Sequence, residues 1–296
     1  MPPGGPLFSR PFFMLEAQRV SKSEFAGGAL ATPDNWLQAV LEYEHPSNAS
    51  RYLINIGAHF TESDVVGRVM TLSETSGVAI DADDRITWAG ANVHKHTGML
   101  TPRNVNDVLN HANTPVRPLL LKVDIDSYDV DVALAVLHHR SPDFIFVEIN
   151  EKIPPPVCYC NRYRHDREWK RLDGNAYGCS LQGFVLAFAP HSYRLVSVLL
   201  NDALFAHTRV LPHVPARDGL FLEPRAAFNS GYANVPSRAR AFAWNKGLDK
   251  WIDEARPFET RAEYRIEYNN TATVEPSLVW RRTGRPPGLE VCGPPP

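Results

Sequence analysis

Short apolar runs alternate with segments of helical periodicity along residues 34–212. The runs predict strands at 52–54, 77–81, 93–100, 119–126 and 144–150, followed by a closing strand pair at 193–199 and 202–206. Apolar residues at helical spacing predict helices at 34–43, 63–72, 83–89, 130–138 and 180–189, and Thr101 with Pro102 has the features of a further helix start. Such alternation is typical of an α/β fold with a doubly wound, mostly parallel, Rossmann-like sheet.

The ends of the chain differ from its middle. Residues 1–33 are rich in glycine and proline and predict a largely irregular N-terminal extension. Residues 34–212 form the predicted α/β domain, and residues 213–296 form a C-terminal extension with a disordered, proline-rich tail. No apolar run is long enough to span a bilayer, and no signal-peptide pattern is visible, which favours a cytoplasmic location.

Charge and cysteine content narrow the class of partner. The 296 residues carry a formal net charge of -2. The chain therefore lacks the basic excess that would predict a nucleic acid or an anionic membrane as a partner. Cys158 and Cys160 are too close in sequence for the usual zinc-site spacing. With Cys179 and Cys292, they are predicted to be reduced thiols, since disulfides are rare in the cytosol.

The predicted strand at 119–126 changes from apolar to polar along its length. It starts with three leucines and ends in Lys122, Asp124 and Asp126, which strict alternation would put on one face. Burying such groups without partners is costly, and ligands in open α/β sheets bind at the carboxyl ends of the strands. We therefore interpret Lys122, Asp124 and Asp126 as the floor of a site.

Three other predicted strands also end in polar or small residues. These are Asn55, Gly57 and Ala58 after the first strand, Asp81 on the second, and Glu148 with Asn150 on the fifth. Gly57 stands alone, without the further glycines of a dinucleotide-binding turn, and no Walker-type phosphate loop is present. A carboxylate such as Asp81 commonly binds ribose hydroxyls, so a ligand with a ribose but no pyrophosphate fits best.

Four segments carry a resemblance to a known family. They are Ile54-Asn-Ile-Gly-Ala, Val78-Ala-Ile-Asp, Leu121-Lys-Val-Asp-Ile-Asp-Ser-Tyr-Asp and Phe146-Val-Glu-Ile-Asn. The chain resembles class I S-adenosylmethionine-dependent methyltransferases, most closely the FkbM-type group with its Leu-Lys-Ile-Asp-x-Asp-Gly strand. The resemblance implies the seven-stranded methyltransferase fold, S-adenosylmethionine as cofactor, and a small-molecule acceptor with a hydroxyl, such as a sugar.

The same resemblance implies roles for individual residues. Asn55, Gly57 and Ala58 would line the methionine part of the cofactor, and Asp81 would hold its ribose. Asp124 and Asp126 would face the transferred methyl group or the acceptor, with Lys122 tuning the charge.

On the acceptor side, Glu148 and Asn150 share the sheet edge. Trp169 and Tyr177 flank the proline-rich loop and could stack on a sugar. No metal ligand is assigned in this interpretation.

Two alternatives remain open. The Asp124-x-Asp126 pair, with Glu148, could instead hold Mg²⁺ or Mn²⁺ in a metal-dependent transferase. The first loop lacks the family's second glycine and Ser127 replaces another, which is also compatible with a non-catalytic interaction protein that keeps the fold.

Overall fold

A computed structural model describes residues 51–58, 64–71, 75–84, 86, 90–163, 177–210 and 222–236, together with the backbone of two strands at 265–269 and 277–281. The strands are β1 (Tyr52–Ile56), β2 (Ser76–Asp81), β3 (Val93–Thr97), β4 (Leu120–Val123), β5 (Phe144–Glu148), β6 (Tyr193–Leu199), β7 (Asp202–His207), β8 (Arg265–Asn269) and β9 (Ser277–Arg281). The α-helices are α1 (Val65–Val69), α2 (Val105–His111), α3 (Asp129–Leu137), α4 (Leu181–Phe188) and α5 (Pro224–Phe228).

Seven of these strands form one mixed sheet in the order β3-β2-β1-β4-β5-β7-β6. The first five pair in parallel, whereas β7 runs antiparallel to both β5 and β6. This order confirms the predicted doubly wound sheet of the seven-stranded methyltransferase type. The predicted closing strand pair is confirmed as well. The remaining strands, β8 and β9, pair with each other in a separate antiparallel hairpin.

The central strands are apolar because helices and loops cover both of their faces. All five residues of β1 are buried, and so are all four of β4. In α4, Leu181, Phe184 and Phe188 are buried, and the N-cap residue Ser180 accepts a hydrogen bond from the Gly183 N–H. Burial of such apolar surface is the main favourable term in folding.

Several predicted boundaries were wrong, and the structure gives the reason for two of them. The fourth strand ends at Val123 rather than at residue 126, because Asp126 adopts a left-handed backbone conformation with φ of 58°. Helix α2 starts after Asn104 rather than at Thr101. There the Thr101 N–H donates to the Asn104 carboxamide oxygen at 2.7 Å and the Thr101 hydroxyl accepts from the Arg103 N–H, so the segment forms a turn before the helix.

Two predicted helices fall wholly or mostly outside the described residues, and part of the predicted C-terminal extension belongs to the core. The helix predicted at 34–43 lies outside the described residues, and so does most of the one predicted at 83–89. Residues 224–233, assigned from sequence to the C-terminal extension, pack against the sheet. Phe228 and Tyr232 belong to the hydrophobic core, and the Leu200 N–H donates to the Gly231 carbonyl oxygen at 2.8 Å.

No helix within the described residues has the length and apolar character needed to cross a bilayer.

A buried charge cluster stabilises the edge of the sheet where β5 begins. Asp143 is fully buried, and its Oδ1 accepts hydrogen bonds from the Nε atoms of Arg117 at 3.1 Å and Arg209 at 2.7 Å. His207 lies beside them, and its Nδ1 accepts from the Arg209 N–H at 3.1 Å. Burial, together with the charge of Arg209, lowers the pKa of His207 to about 4.

This lowered pKa predicts that His207 contributes to acid sensitivity. Between about pH 6.5 and pH 4 the unfolded chain binds a proton at this histidine and the folded chain does not, so stability is lost as pH falls through that window. We expect His207→Asn, which keeps an acceptor for the Arg209 N–H, to lose less stability than the parent between pH 7 and pH 5. Urea unfolding at both values measures this, and an identical loss in both proteins would contradict it.

Candidate functional site

Residues from five neighbouring strands meet at one level of the sheet, at the carboxyl ends of its parallel strands. Ile56 pairs with Ile80 on one side and with Val123 on the other, so the next residues along each chain segment lie side by side. Val123 in turn pairs with Val147, and Glu148 pairs with Asp202. The resulting row is Asp81, Gly57, Asp124, Glu148 and Asp202.

The strands that form this row also direct several polar side chains to one face of the sheet. Asn55 pairs with Lys122, and Lys122 pairs with Phe146, so their side chains are on the same side of the sheet. Side chains alternate along a strand, which puts Glu148 on that side too, and its cross-strand partner Asp202 with it. The sheet therefore concentrates acidic groups on one face of one edge.

Lys122 joins the walls of this region. Its Nζ lies 3.5 Å from Asp64 Oδ2, 3.3 Å from Asp124 Oδ2 and 3.2 Å from the Gly57 carbonyl oxygen. Burial disfavours its charged form, but the carboxylates of Asp64 and Asp124 outweigh burial and raise the pKa of Lys122 above its usual value. Lys122 is therefore a buried cation that ties β1, the start of α1 and the end of β4 together.

Asn55 and Ala58 lie beneath the site rather than on its surface. Both are fully buried, and the Ala58 N–H donates to the Ile80 carbonyl oxygen at 3.0 Å. Asn55 Nδ2 donates to Asp64 Oδ2 at 2.7 Å, while its own Oδ1 is buried without a hydrogen-bond partner. Their placement favours a supporting role over the direct cofactor contact that the resemblance implied.

Gly57 is required by the chain's own packing. It has φ of 78°, and a Cβ at this position would overlap the Asp124 carbonyl oxygen. The Gly57 N–H donates to the Ile80 carbonyl oxygen at 2.9 Å. Glycine thus lets β1 turn sharply where it passes β4, and part of the residue remains exposed at the edge.

Asp81 ends β2 at the same edge and is partly exposed. Its Oδ1 accepts from the Asp83 N–H at 2.8 Å, which fixes the carboxylate at the start of a turn. Because β1 lies between β2 and β4, two strand spacings, about 10 Å, separate the strand ends that carry Asp81 and Asp124.

Asp124, Asp126 and Glu148 form an acidic group. Each offers one carboxylate oxygen, and these three oxygens lie within 4.8 Å of one another. All three residues are partly exposed, so a ligand can reach them. Asp124 and Asp126 therefore lie close together, as the sequence predicted. The cause is the turn that follows β4 and not the alternation of side chains along a strand.

Asp129 shapes that turn. Its two carboxylate oxygens accept from the Ile125 N–H at 2.8 Å and the Ser127 N–H at 2.9 Å. Burial raises the pKa of Asp129 to about 7, while the bond from Ile125 lowers it and the charge of Asp124 raises it. Asp129 thus positions Asp126 without itself reaching the surface.

Asn150 and Tyr177, which the sequence analysis places on the acceptor side, are joined by a hydrogen bond. Asn150 is fully buried, and its Nδ2 donates to the Tyr177 carbonyl oxygen at 2.9 Å. The Tyr177 hydroxyl donates to the buried Glu151, and Lys152 Nζ lies 4.8 Å from the centre of the tyrosine ring. Burial and the charge of Glu151 raise the pKa of Tyr177 well above its usual value. Asn150 therefore positions Tyr177, whereas Trp169 lies outside the described residues.

The prediction of reduced thiols was wrong for the described cysteines. A disulfide joins Cys160 to Cys179, and Cys158 is disulfide-bonded too. The Asn150 N–H donates to the Cys179 carbonyl oxygen at 2.8 Å, so this bridge is anchored beside the acceptor side. Since disulfides persist mainly in oxidising compartments, this bonding does not favour the cytoplasmic location inferred from sequence.

Sequence reasoning missed three acidic residues of the region. Asp64 caps α1, accepting from the Val66 and Gly67 N–H groups, and it could have been found as an aspartate before a helical pattern. Asp129 is the last residue of the segment Leu121-Lys-Val-Asp-Ile-Asp-Ser-Tyr-Asp, so it could have been found within that segment. Asp202 gave no signal, because it is the first residue of the antiparallel β7. Burial raises the pKa of Asp202 to about 8, and the negative charge of Asp124 is the next largest cause of this increase.

The fold and the position of this region define a class: an α/β domain of the seven-stranded methyltransferase type with a polar site at the carboxyl ends of its parallel strands. No family model matches the chain, and no curated protein matches it.

Among solved structures, it is similar to a SAM-dependent methyltransferase from Aquifex aeolicus, with a TM-score of 0.34 and 9% identity over 67% of this chain and 98% of that one. It is also similar to the plantazolicin methyltransferase BamL, with a TM-score of 0.32 and 10% identity over 85% of this chain and 91% of that one. A third similar structure is an O-methyltransferase of a Brevibacillus brevis polyketide synthase, with a TM-score of 0.32 and 9% identity over 86% of this chain and 75% of that one. These distant similarities assign no activity, and the fold assignment rests on the strand order.

The residues at the edge fit an adenosyl cofactor in part. A carboxylate is a suitable acceptor for ribose hydroxyls, and Asp81 presents one at the end of β2. Gly57 and Asp124 retain exposed surface next to it. The unpartnered Oδ1 of Asn55 lies beneath them and is too deeply buried to contact a ligand.

The crowding at Gly57 predicts a large effect of a single methyl group. We expect Gly57→Ala to lower the free energy of unfolding by about 2–5 kcal/mol, from backbone strain and overpacking. Gly178→Ala is the matched control, because Gly178 also has positive φ but a Cβ there would have no contact closer than 3.9 Å. It should cost about 1 kcal/mol from strain alone. Chemical denaturation compares the two, and equal losses would contradict this reading.

Removing the charge of Lys122 should destabilise the chain. Lys122→Met leaves the buried carboxylate of Asp64 and the partly exposed carboxylate of Asp124 near each other without the cation between them, and we expect a loss of about 3–5 kcal/mol. Lys95→Met on β3 is the control, since Lys95 is exposed and should change stability by less than about 0.5 kcal/mol. Thermal and urea unfolding measure both. A stable Lys122→Met protein would show that Lys122 is not the structural centre of the region.

Proposed function

We propose that this protein is an S-adenosylmethionine-dependent methyltransferase that methylates a hydroxyl group on a sugar or another small molecule. The observation that carries the proposal is the row formed by Asp81, Gly57, Asp124 and Glu148 across four neighbouring strands of a methyltransferase-type sheet. The resemblance of the same segments to the FkbM-type group supports it.

The cofactor, when bound, supplies a methyl group on a positively charged sulfur. In the proposed arrangement Asp81 accepts hydrogen bonds from the ribose hydroxyls, and the turn at Gly57 lies against the rest of the molecule. Lys122 holds the loop after β4 in place through Asp124. Methyl transfer mainly requires that donor and acceptor are held close and aligned, which a rigid sheet edge provides.

Transfer to a hydroxyl also releases a proton, and the carboxylates after β4 are the candidates to accept it. Lys122 contacts Asp124 at 3.3 Å and holds that carboxylate in place, whereas Asp126 lies beyond it in the turn. Asp124 is therefore suited to orient the acceptor, and Asp126 is suited to take the proton. Tyr177, held by Asn150 and Glu151, would form the side of the acceptor site.

Titration of the purified full-length protein with S-adenosylmethionine and S-adenosylhomocysteine by calorimetry tests the proposal. We expect binding, and we expect Asp81→Asn to weaken it by about tenfold, because the ribose loses a charged acceptor. Asp84→Asn is the matched control, since Asp84 is exposed on the following turn, and its affinity should equal that of the parent.

Absence of heat at high micromolar ligand, in a protein that unfolds cooperatively, would overturn the methyltransferase proposal. A folded chain without nucleoside binding is what the non-catalytic alternative predicts, because a fold does not guarantee its usual activity. Binding that Asp81→Asn leaves unchanged would contradict the assignment of the ribose site.

A further inference from the structure

The acidic group of Asp124, Asp126 and Glu148 has the dimensions of a cation site. Its three carboxylate oxygens come from the ends of two adjacent parallel strands and lie within 4.8 Å of one another. An oxygen-only ligand set of this kind suits Mg²⁺ or Mn²⁺, which take few protein ligands and keep several waters. The group contains no histidine and no cysteine, which disfavours zinc.

A second observation comes from β7 and does not depend on the mutual distance of those three carboxylates. Asp202 is 7% exposed, and its carboxylate makes no hydrogen bond and no ion pair with any described residue. It is the direct cross-strand partner of Glu148, so both side chains lie on the same face, and Asp124 and Lys122 are its nearest charged neighbours. A buried carboxylate without a partner is costly, and a bound cation would offset that cost.

Lys122 does not fill this role. Its Nζ is engaged by Asp64, Asp124 and the Gly57 carbonyl oxygen, and it forms no ion pair with Asp202. Among the described residues, Asp202 is therefore influenced by the charge of Lys122 but has no cation in contact with it.

The surrounding structure holds the ligands in position. Asn201 Nδ2 donates to Glu148 Oε1 at 2.6 Å, and Asp129 fixes the turn that carries Asp126 through its two backbone hydrogen bonds. Partners of this kind orient metal-binding carboxylates and strengthen binding.

We propose that Asp124, Asp126 and Glu148 bind a divalent cation, Mg²⁺ or Mn²⁺, and that Asp202, next to Glu148 on β7, adds negative charge beside the site. The site goes beyond the proposed function, because it requires no nucleoside. A consequence that does rest on the proposed function is that an acceptor hydroxyl coordinated to the cation would lose its proton to solvent more readily, and Asp126 would then act as a ligand instead of the proton acceptor. Such a site would favour acceptors with two neighbouring oxygens, as in a vicinal diol, because these chelate a metal.

Binding of Mn²⁺ alone to the full-length protein, after removal of metals with a chelator, tests the site. Electron paramagnetic resonance of free Mn²⁺ gives the affinity, and we expect binding at sub-millimolar concentration. Asp126→Asn and Glu148→Gln should each weaken it by about tenfold or more, and Asp202→Asn should weaken it too. Asp107→Asn is the control, because Asp107 is exposed on α2 and its variant should bind as the parent does.

Circular dichroism melting establishes that each variant is folded before its affinity is interpreted. No Mn²⁺ binding up to millimolar concentration, or equal binding in Asp126→Asn and in the parent, would overturn the proposal. The two proposals are tested separately. S-adenosylmethionine is titrated in the presence of a chelator, and Mn²⁺ is titrated in the absence of any nucleoside.

Discussion

The buried ammonium group of Lys122 is the interaction on which this part of the molecule depends. It lies among two carboxylates and a carbonyl oxygen that belong to three different segments of the chain. The buried Asp64 carboxylate and the buried ammonium group would each be costly without a partner, so the lysine and the acids stabilise one another. Because the same contacts hold the loop after β4, the geometry of the candidate site and the stability of the sheet edge are linked.

The topology of the sheet decides which acids meet. Five parallel strands bring their carboxyl ends to one edge, and β7 runs in the opposite direction between β5 and β6. The first residue of β7, Asp202, is therefore brought to the edge where the other strands end. One antiparallel strand thus adds a fourth carboxylate, next to Glu148, which a fully parallel sheet would not supply.

Two chemical tasks can be assigned to this one edge. The side of β2 and β1 offers the carboxylate of Asp81, which is proposed to bind a ribose, and a tight glycine turn, whereas the side of β4, β5 and β7 offers clustered carboxylates. The region proposed to hold the acceptor is further held by the Cys160–Cys179 disulfide and by the hydrogen bonds around Tyr177. A fold of this type hosts many activities, so the chemistry of these side chains carries the functional argument more than the fold does.

The sequence alone determined the α/β class, most strands and the acidic character of the strand ends, because hydrophobic periodicity and local residue chemistry are written along the chain. It also indicated Asp81, Asp124 and Asp126. Tertiary structure decided which of these groups touch. The left-handed turn at Asp126, the burial of Asn55 and the position of Asp202 depend on pairing between segments far apart in sequence, and no local pattern encodes that register.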